Sequence, residues 1–107
     1  MIKKMTGDFL NTGLTVEHIN SLRAILVKFS SVEQVKLYGS RAKGSFKKGS
    51  DVDLVFLGDI SHQELMTIDS LIDDLLTPYS YDLSIMSDIT NTDLISHIER
   101  VGLVVYP

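Results

Sequence analysis

Apolar residues recur at helical spacing in three segments of the chain. Repeats of three and four residues place such side chains on one side of a helix, so each segment is predicted to be a helix with a buried face. The predicted helices span residues 16–29, 62–76 and about 91–101, and Thr15 and Ser61 are suited to cap the first two. The predicted buried faces consist of Ile19, Leu22, Ile25, Leu26 and Phe29, of Leu65, Ile68, Leu71, Ile72 and Leu75, and of Leu94, Ile95, Ile98 and Val101.

Shorter apolar segments between these helices are predicted to be β-strands. A Gly/Ser/Lys loop, residues 44–50, follows a predicted first turn of a short helix at residues 41–43. Gly102 is suited to the position after the last helix. Because helices and strands alternate, the fold class is α/β (α+β), with a small mixed sheet flanked by helices. The predicted strands are residues 32–38, 51–57, 79–86 and 103–106.

Length and composition place the chain among single-domain globular proteins. It has 107 residues, of which 44% are hydrophobic and 22% charged, enough for one modest core. We expect one domain over residues 1–107, with the weakly patterned residues 1–13 loosely held. The chain has no cysteine, which excludes disulfides and thiolate chemistry. No apolar run approaches the length that spans a membrane, so a soluble cytoplasmic protein is expected.

The basic residues are concentrated in one segment. Residues 36–48 contain five Lys or Arg and no acid, so this segment carries +5 and the rest of the chain −9, giving the net charge of −4. General DNA-binding proteins have an extensive basic surface, so general DNA binding is not expected. A local anion site fits this distribution better, although a charge run is more often a solvated turn.

Asp51 and Asp53 lie two residues apart on a predicted strand, and their side chains therefore point to the same face. Val52, Leu54 and Phe56 cover the other face. Adjacent carboxylates repel each other, and a bound divalent metal relieves that repulsion. Oxygen ligands suit magnesium or manganese.

Two further features complete a candidate site. Asp82 is a polar residue in the third predicted strand; if that strand neighbours the Asp51–Asp53 strand, three carboxylates meet in an arrangement suited to two magnesium ions and phosphoryl transfer. Gly39 and Ser40 form a strand-to-helix turn that suits phosphate binding, and ten residues separate Ser40 from Asp51. Taken alone, an isolated Asp is more often a rim residue, and a Gly-Ser pair is more often an ordinary turn.

Together these residues resemble the signature of the DNA polymerase beta-like nucleotidyltransferase superfamily. The segment Gly-Ser-Arg-Ala-Lys-Gly-Ser-Phe-Lys-Lys-Gly-Ser-Asp-Val-Asp-Leu, residues 39–54, is similar to the minimal nucleotidyltransferase branch, which often pairs with a HEPN-domain protein. Residues 81–83 fall where the family has its third carboxylate, and residues 99–106 resemble the end of the branch's domain. Lys43 stands where the branch often has a second Arg, and a lysine does not offer a planar fork to phosphate.

The resemblance implies a nucleotidyltransferase palm-like fold, two Mg²⁺ ions and ATP as co-substrate. It implies that the first two carboxylates hold the metals and that the third completes the site and helps to activate the acceptor hydroxyl. The implied catalytic and metal-binding residues are Asp51, Asp53 and Asp82, and the implied phosphate-binding residues are Gly39, Ser40, Arg41 and Lys43.

The leading hypothesis is a magnesium-dependent enzyme that transfers a nucleoside monophosphate, AMP from ATP, to an acceptor hydroxyl. By family analogy the acceptor is a tyrosine of a HEPN-family toxin, with which the chain forms a hetero-oligomer and which it modifies as an antitoxin. One alternative is a non-catalytic subunit that neutralises a HEPN partner by complex formation. Another is a small-molecule or RNA nucleotidyltransferase that works as an oligomer.

Other polar residues are predicted to be structural. His18, His62 and His97 are expected at exposed helix positions. The acidic residues Glu64, Asp69, Asp73 and Asp74 are expected to form a solvent-facing side of the 62–76 helix. The tyrosines are expected to pack in the core or at its rim, namely Tyr38, Tyr79, Tyr81 and Tyr106.

Overall fold

A computed structural model of the chain describes residues 11–107. Within this range no helix is long and apolar enough to cross a membrane. In chain order the elements are α1 (Val16–Leu26), β1 (Val32–Tyr38), α2 (Gly39–Lys43), β2 (Val52–Gly58), α3 (His62–Asp73), β3 (Tyr81–Ile85), a 3-10 turn (Met86–Asp88), α4 (Thr92–Val101) and β4 (Leu103–Tyr106).

The strands form one mixed sheet in the order β3-β2-β1-β4. β1 pairs antiparallel with β2 and with β4, whereas β2 and β3 run parallel. A parallel pair requires a crossover connection, and α3 supplies it. The predicted small mixed sheet flanked by helices is confirmed.

Side chains along β2 alternate between the two faces of the sheet, so the interior has a larger core on one face and a smaller core on the other. Val52, Leu54 and Phe56 are fully buried in the larger core, which also contains the apolar faces of α1 and α3. Val55 points to the other face of the sheet, where it packs with Tyr38 and with Ile98 of α4. The face of β2 that carries Asp53 is therefore the face covered by α4.

The three longer helices begin where the sequence predicts, whereas α2 begins at Gly39, two residues before its predicted start. Thr15 accepts a hydrogen bond from the backbone of the first turn of α1, and Asn91 caps α4 in the same way. Ser61 and Glu64 form a reciprocal capping box at α3. Glu64 also accepts a hydrogen bond from Ser31 at 2.7 Å. Glu64 therefore caps α3 and contacts Ser31, so it is not part of a purely solvent-facing acidic side of this helix.

The ends of the elements differ from the predictions. α1 ends at Leu26 instead of residue 29, and α3 ends at residue 73 because Leu76 adopts a left-handed backbone with φ of 53°. Gly102 has φ of −59°, so it is not the left-handed residue expected after a helix. A Cβ at this position would lie 2.5 Å from the carbonyl oxygen of Ile98, so close packing is what requires glycine here.

Residues 1–13 are expected to be loosely held. Residues 1–10 lie outside the described range. Within that range Thr12 is 1% exposed, and its carbonyl oxygen accepts a hydrogen bond from Arg41. Leu14 belongs to the larger core. For Thr12 the expectation is therefore wrong, since a contact 29 residues away in sequence holds its backbone.

Replacing Phe56 with alanine should lower the free energy of unfolding by about 3–5 kcal/mol, because it removes the largest fully buried side chain and leaves a cavity. Urea unfolding followed by circular dichroism measures the change. Met66→Ala, at a side chain that is 71% exposed, is the control and should shift stability by less than about 0.5 kcal/mol. Equal effects of the two substitutions would contradict the assigned core.

Candidate active site

The parallel pairing of β2 with β3 places two of the predicted carboxylates side by side. Asp53 is in register with Asp82 across this pair, and Tyr38 is its partner on the other side, in β1. Asp51 lies two residues before Asp53, just ahead of the strand, and is exposed. The condition that the two strands are neighbours is therefore met.

Burial and repulsion between carboxylates both act on the titratable groups in this part of the sheet. The pKa of Asp53 is raised from 3.8 to about 6, first by partial burial and then by the charges of Asp82 and Asp51. Burial also raises the pKa of Tyr38; both Asp53 and Asp82 add to that rise, while a hydrogen bond with Ser84 opposes it. The site thus has an excess of negative charge, and none of the groups that shift the pKa of Asp53 is a cation.

The donor set fits a hard divalent cation such as Mg²⁺, since it consists of carboxylate oxygens whose mutual repulsion a cation relieves. Among residues 11–107 no three His, Cys, Asp or Glu side chains converge into a ready-made metal-binding group. Asp53 and Asp82 are adjacent, and Asp51 lies within electrostatic range of Asp53. The arrangement is therefore an adjacent carboxylate pair with a third carboxylate nearby.

Gly39 brings the backbone against this carboxylate pair. Its φ is +77°, and a Cβ built on it would lie 2.2 Å from Oδ2 of Asp53. Only glycine fits this position, for both conformational and steric reasons. Ser40 follows directly in α2, so the Gly39-Ser40 turn and the carboxylates are brought together. The N–H of Gly39 donates a hydrogen bond of 3.0 Å to Nε2 of His97 in α4.

The resemblance implies that Arg41 binds phosphate, but in the structure its side chain is buried against the protein backbone. Its side chain is 4% exposed, and Nη1 and Nε donate to the carbonyl oxygens of Thr12 (2.7 Å) and Ser50 (3.1 Å). The guanidinium also lies over the rings of Phe46 and Tyr79, at 4.8 and 5.1 Å from their centroids. Arg41 is thus a structural brace for the loop between α2 and β2, because two of its N–H groups donate to backbone carbonyls.

The remaining cations of the basic segment are distributed along that loop. Lys43, Lys47 and Lys48 are exposed, whereas Lys36 is half-buried in β1. Lys43 lies in the last turn of α2, four residues after Gly39. Because these lysines are exposed, an anionic ligand can contact the positive charges of the loop.

A buried polar pair holds the edge strand β3 against α1. His18 is 5% exposed, contacts the ring of Tyr79 and is hydrogen-bonded through Nε2 to the hydroxyl of Tyr81. Burial lowers the pKa of His18 and raises that of Tyr81 to about 12, so both groups are neutral near pH 7. Tyr81 lies next to Asp82 in sequence, but its side chain is on the opposite face of the sheet.

The prediction that all three histidines are exposed is right for one of them. His62 is exposed and contacts Asp88 at 2.6 Å. It is wrong for His18, which is buried, and for His97, which is half-buried. Both lie on the apolar stripe of their helix; His18, for example, precedes Leu22 by four residues. Helical periodicity could therefore have indicated their burial, although not their partners.

The fold and the site together define a small mixed-sheet domain that carries paired carboxylates beside a glycine turn. The family profile described as "Polymerase beta, Nucleotidyltransferase" matches residues 20–107. The chain belongs to this nucleotidyltransferase family. A comparison with curated proteins finds no match.

Three solved structures share the fold at low sequence identity. A toxin-antitoxin with AMP-PNP is 18% identical, with a TM-score of 0.67 over 81% of this chain and 71% of that chain. The complex of a tri-AMPylated Shewanella oneidensis HEPN toxin with an MNT antitoxin is 15% identical, with a TM-score of 0.62 over 83% and 69%. The toxin-antitoxin MntA-HepT is 15% identical, with a TM-score of 0.62 over 85% and 71%.

The raised pKa of Asp53 predicts a pH-dependent stability. Between pH 3.8 and about 6 the native state binds more protons than the unfolded state, so the free energy of unfolding falls as pH rises through about 6. Asp53→Asn should be more stable than the wild type above pH 6, by about 1–2 kcal/mol after allowance for solvent screening, and equal to it below pH 4.

Urea unfolding of both chains from pH 3.5 to 8, without divalent metal, measures this difference. Asp69→Asn, on the exposed side of α3, is the matched control and should follow the wild type at every pH. An Asp53→Asn chain that unfolds more easily than the wild type at pH 7 would contradict the electrostatic assignment.

Arg41→Lys should lower the free energy of unfolding by about 1–3 kcal/mol, because lysine cannot reach both backbone carbonyls with a planar fork. Lys43→Gln is the control in the same helix and should change stability by less than about 0.5 kcal/mol. Urea unfolding measures both. Equal stability of the Arg41→Lys chain and the wild type would show that the brace contributes nothing.

Proposed function

We propose that this chain is a magnesium-dependent nucleotidyltransferase that transfers AMP from ATP to a tyrosine hydroxyl of a HEPN-family toxin, and that it acts as an antitoxin. The observation that carries the proposal is the register of Asp53 with Asp82 beside the Gly39 turn, in a chain of the nucleotidyltransferase family. Solved structures with the same fold include a toxin-antitoxin with AMP-PNP and an antitoxin with a tri-AMPylated HEPN toxin.

Asp51, Asp53 and Asp82 are the residues proposed to hold the metal. Their oxygens suit Mg²⁺. The pKa of Asp53 is raised first by burial and then by the charges of Asp82 and Asp51, and a cation would relieve the repulsion between these carboxylates. When bound, Mg²⁺ neutralises phosphate charge and stabilises the charge that develops during phosphoryl transfer. Asp53 and Asp82 would hold the ion from neighbouring strands, and Asp51 would contribute from the position just ahead of β2.

The other residues of the site position the triphosphate. Gly39 lets the chain pass close to Asp53, and Ser40 offers a hydroxyl at the same turn. Lys43, together with the exposed lysines of the following loop, attracts the polyanion toward carboxylates that would otherwise repel it. Catalysis of this kind depends mainly on positioning and charge neutralisation.

The transfer exchanges a phosphoanhydride bond of ATP for a phosphoester bond to the acceptor. The acceptor hydroxyl oxygen attacks the α-phosphorus of ATP, the bond between the α-phosphorus and the bridging oxygen breaks, and pyrophosphate leaves. Asp82 is exposed on the edge strand, where it can receive the proton of the acceptor hydroxyl. The product is an AMP ester of the acceptor.

The openness of the site favours a macromolecular acceptor. Asp51 and Asp82 are exposed, and β3 is at the edge of the sheet. A protein that presents a tyrosine can approach this edge without passing through a closed pocket. The acceptor then supplies its own part of the binding surface.

Incubation of this chain with ATP labelled at the α-phosphate, Mg²⁺ and a HEPN-family protein should transfer the label to that protein. Asp53→Asn should reduce labelling roughly 100-fold or more, because it removes a charged metal ligand. Asp73→Asn, an exposed position on α3, should label as the wild type does. Mass spectrometry of the labelled protein should locate AMP on tyrosine.

Two results would favour the alternatives. Label that appears only in RNA or in a small molecule would favour a nucleotidyltransferase that works on those acceptors as an oligomer. If an Asp53→Asn chain protected cells from the HEPN protein as well as the wild type does, neutralisation by binding alone would replace the catalytic proposal.

A further inference from the structure

His97 connects α4 to the glycine turn of the candidate site. The lone pair of its Nε2 accepts the N–H of Gly39 at 3.0 Å, a contact between residues 58 positions apart. The N-cap residue of α2 is Tyr38, whose side chain does not cap the helix. The imidazole thus satisfies a backbone donor at the start of α2 that lacks a partner within its own helix.

The bond defines the chemical state of the ring. An N–H donor requires a free lone pair on Nε2, so the proton of the neutral ring is on Nδ1. A side chain without an acceptor at this place would leave the N–H of Gly39 without its partner. The contact is therefore specific to a neutral imidazole or to another acceptor of similar reach.

His97 is held in place by its surroundings. Its ring meets the ring of Tyr38 edge-on, with centroids 6.2 Å apart and planes at 79°. The next residue, Ile98, is 2% exposed and packs with Tyr38 and Val55 in the smaller core. The imidazole therefore reaches Gly39 from a fixed helix.

The position of Gly39 matters to the site because no free space separates it from Asp53. A Cβ on Gly39 would lie 2.2 Å from Oδ2 of that carboxylate, so a small displacement of the turn changes the surroundings of the carboxylate pair. The hydrogen bond from His97 acts on the peptide unit that sets this approach. Loss of the bond would free the turn while leaving Asp53 and Asp82 in the sheet.

We propose that His97 is a positioning residue for nucleotide binding: it holds the Gly39 turn against Asp53 in the arrangement that receives the triphosphate. The inference rests on the proposed function for the identity of the ligand. It does not require His97 to touch the nucleotide or to exchange a proton with it.

Two substitutions separate this role from general packing. His97→Ala removes the acceptor, whereas His97→Gln places a carbonyl oxygen at nearly the reach of Nε2. His62→Ala is the matched control, because His62 is also a helical histidine with a hydrogen bond, to Asp88 on the surface. Thermal unfolding of each chain ensures that binding is measured well below its melting temperature.

The first measurement is amide hydrogen exchange of Gly39 by NMR, which needs no ligand. The second is calorimetric titration with AMP-PNP in the presence of Mg²⁺. In the His97→Ala chain we expect faster exchange at Gly39 and about tenfold weaker AMP-PNP binding. The His97→Gln chain should recover to within about threefold of the wild type, and the His62→Ala chain should match the wild type.

Wild-type affinity in the His97→Ala chain would overturn the inference. So would a His97→Gln chain that protects the Gly39 amide but binds AMP-PNP as weakly as the alanine variant. A wild-type chain that binds AMP-PNP but labels no acceptor would refute the proposed transfer alone, and the positioning role would still be decided by the two measurements above.

Discussion

The in-register pairing of Asp53 with Asp82 is the constraint on which the site depends. Each carboxylate belongs to a different strand, and the parallel ladder between β2 and β3 holds them at neighbouring positions despite their repulsion. Apolar packing on the opposite face opposes that repulsion, because Val52, Leu54 and Phe56 are fully buried there. A shift of one residue would turn the carboxylates toward the larger core and the apolar row toward the face that carries the site.

The unfavourable electrostatic free energy of this arrangement is localised at Asp53. Its pKa is raised because burial and the neighbouring carboxylates destabilise its charged form. The surrounding structure supplies the compensating stability. α3 connects the parallel strands, and the buried pair of His18 and Tyr81 anchors β3 to α1. An electrostatically unfavourable group in an otherwise well-packed sheet is typical of a site that binds a charged ligand.

Hydrogen bonds from two side chains hold the turn and loop before β2 in place. Arg41 binds two backbone carbonyls and lies against two aromatic rings, so the loop that leads to Asp51 is held from inside. His97 holds the beginning of the same segment from α4. Both ends of the segment from Gly39 to Asp51 are thereby connected to elements that are distant in sequence.

Local pattern was sufficient for the elements, the helix caps and the apolar faces, because periodicity and capping depend on residues within a few positions of each other. It also indicated Gly39, Asp51 and Asp53, whose spacing lies within one short segment. The sequence did not determine that Arg41 is a brace, that His18 is buried, or that His97 reaches Gly39. Those outcomes depend on which elements pack together, and contacts between residues 29 to 63 positions apart exist only after the chain has folded.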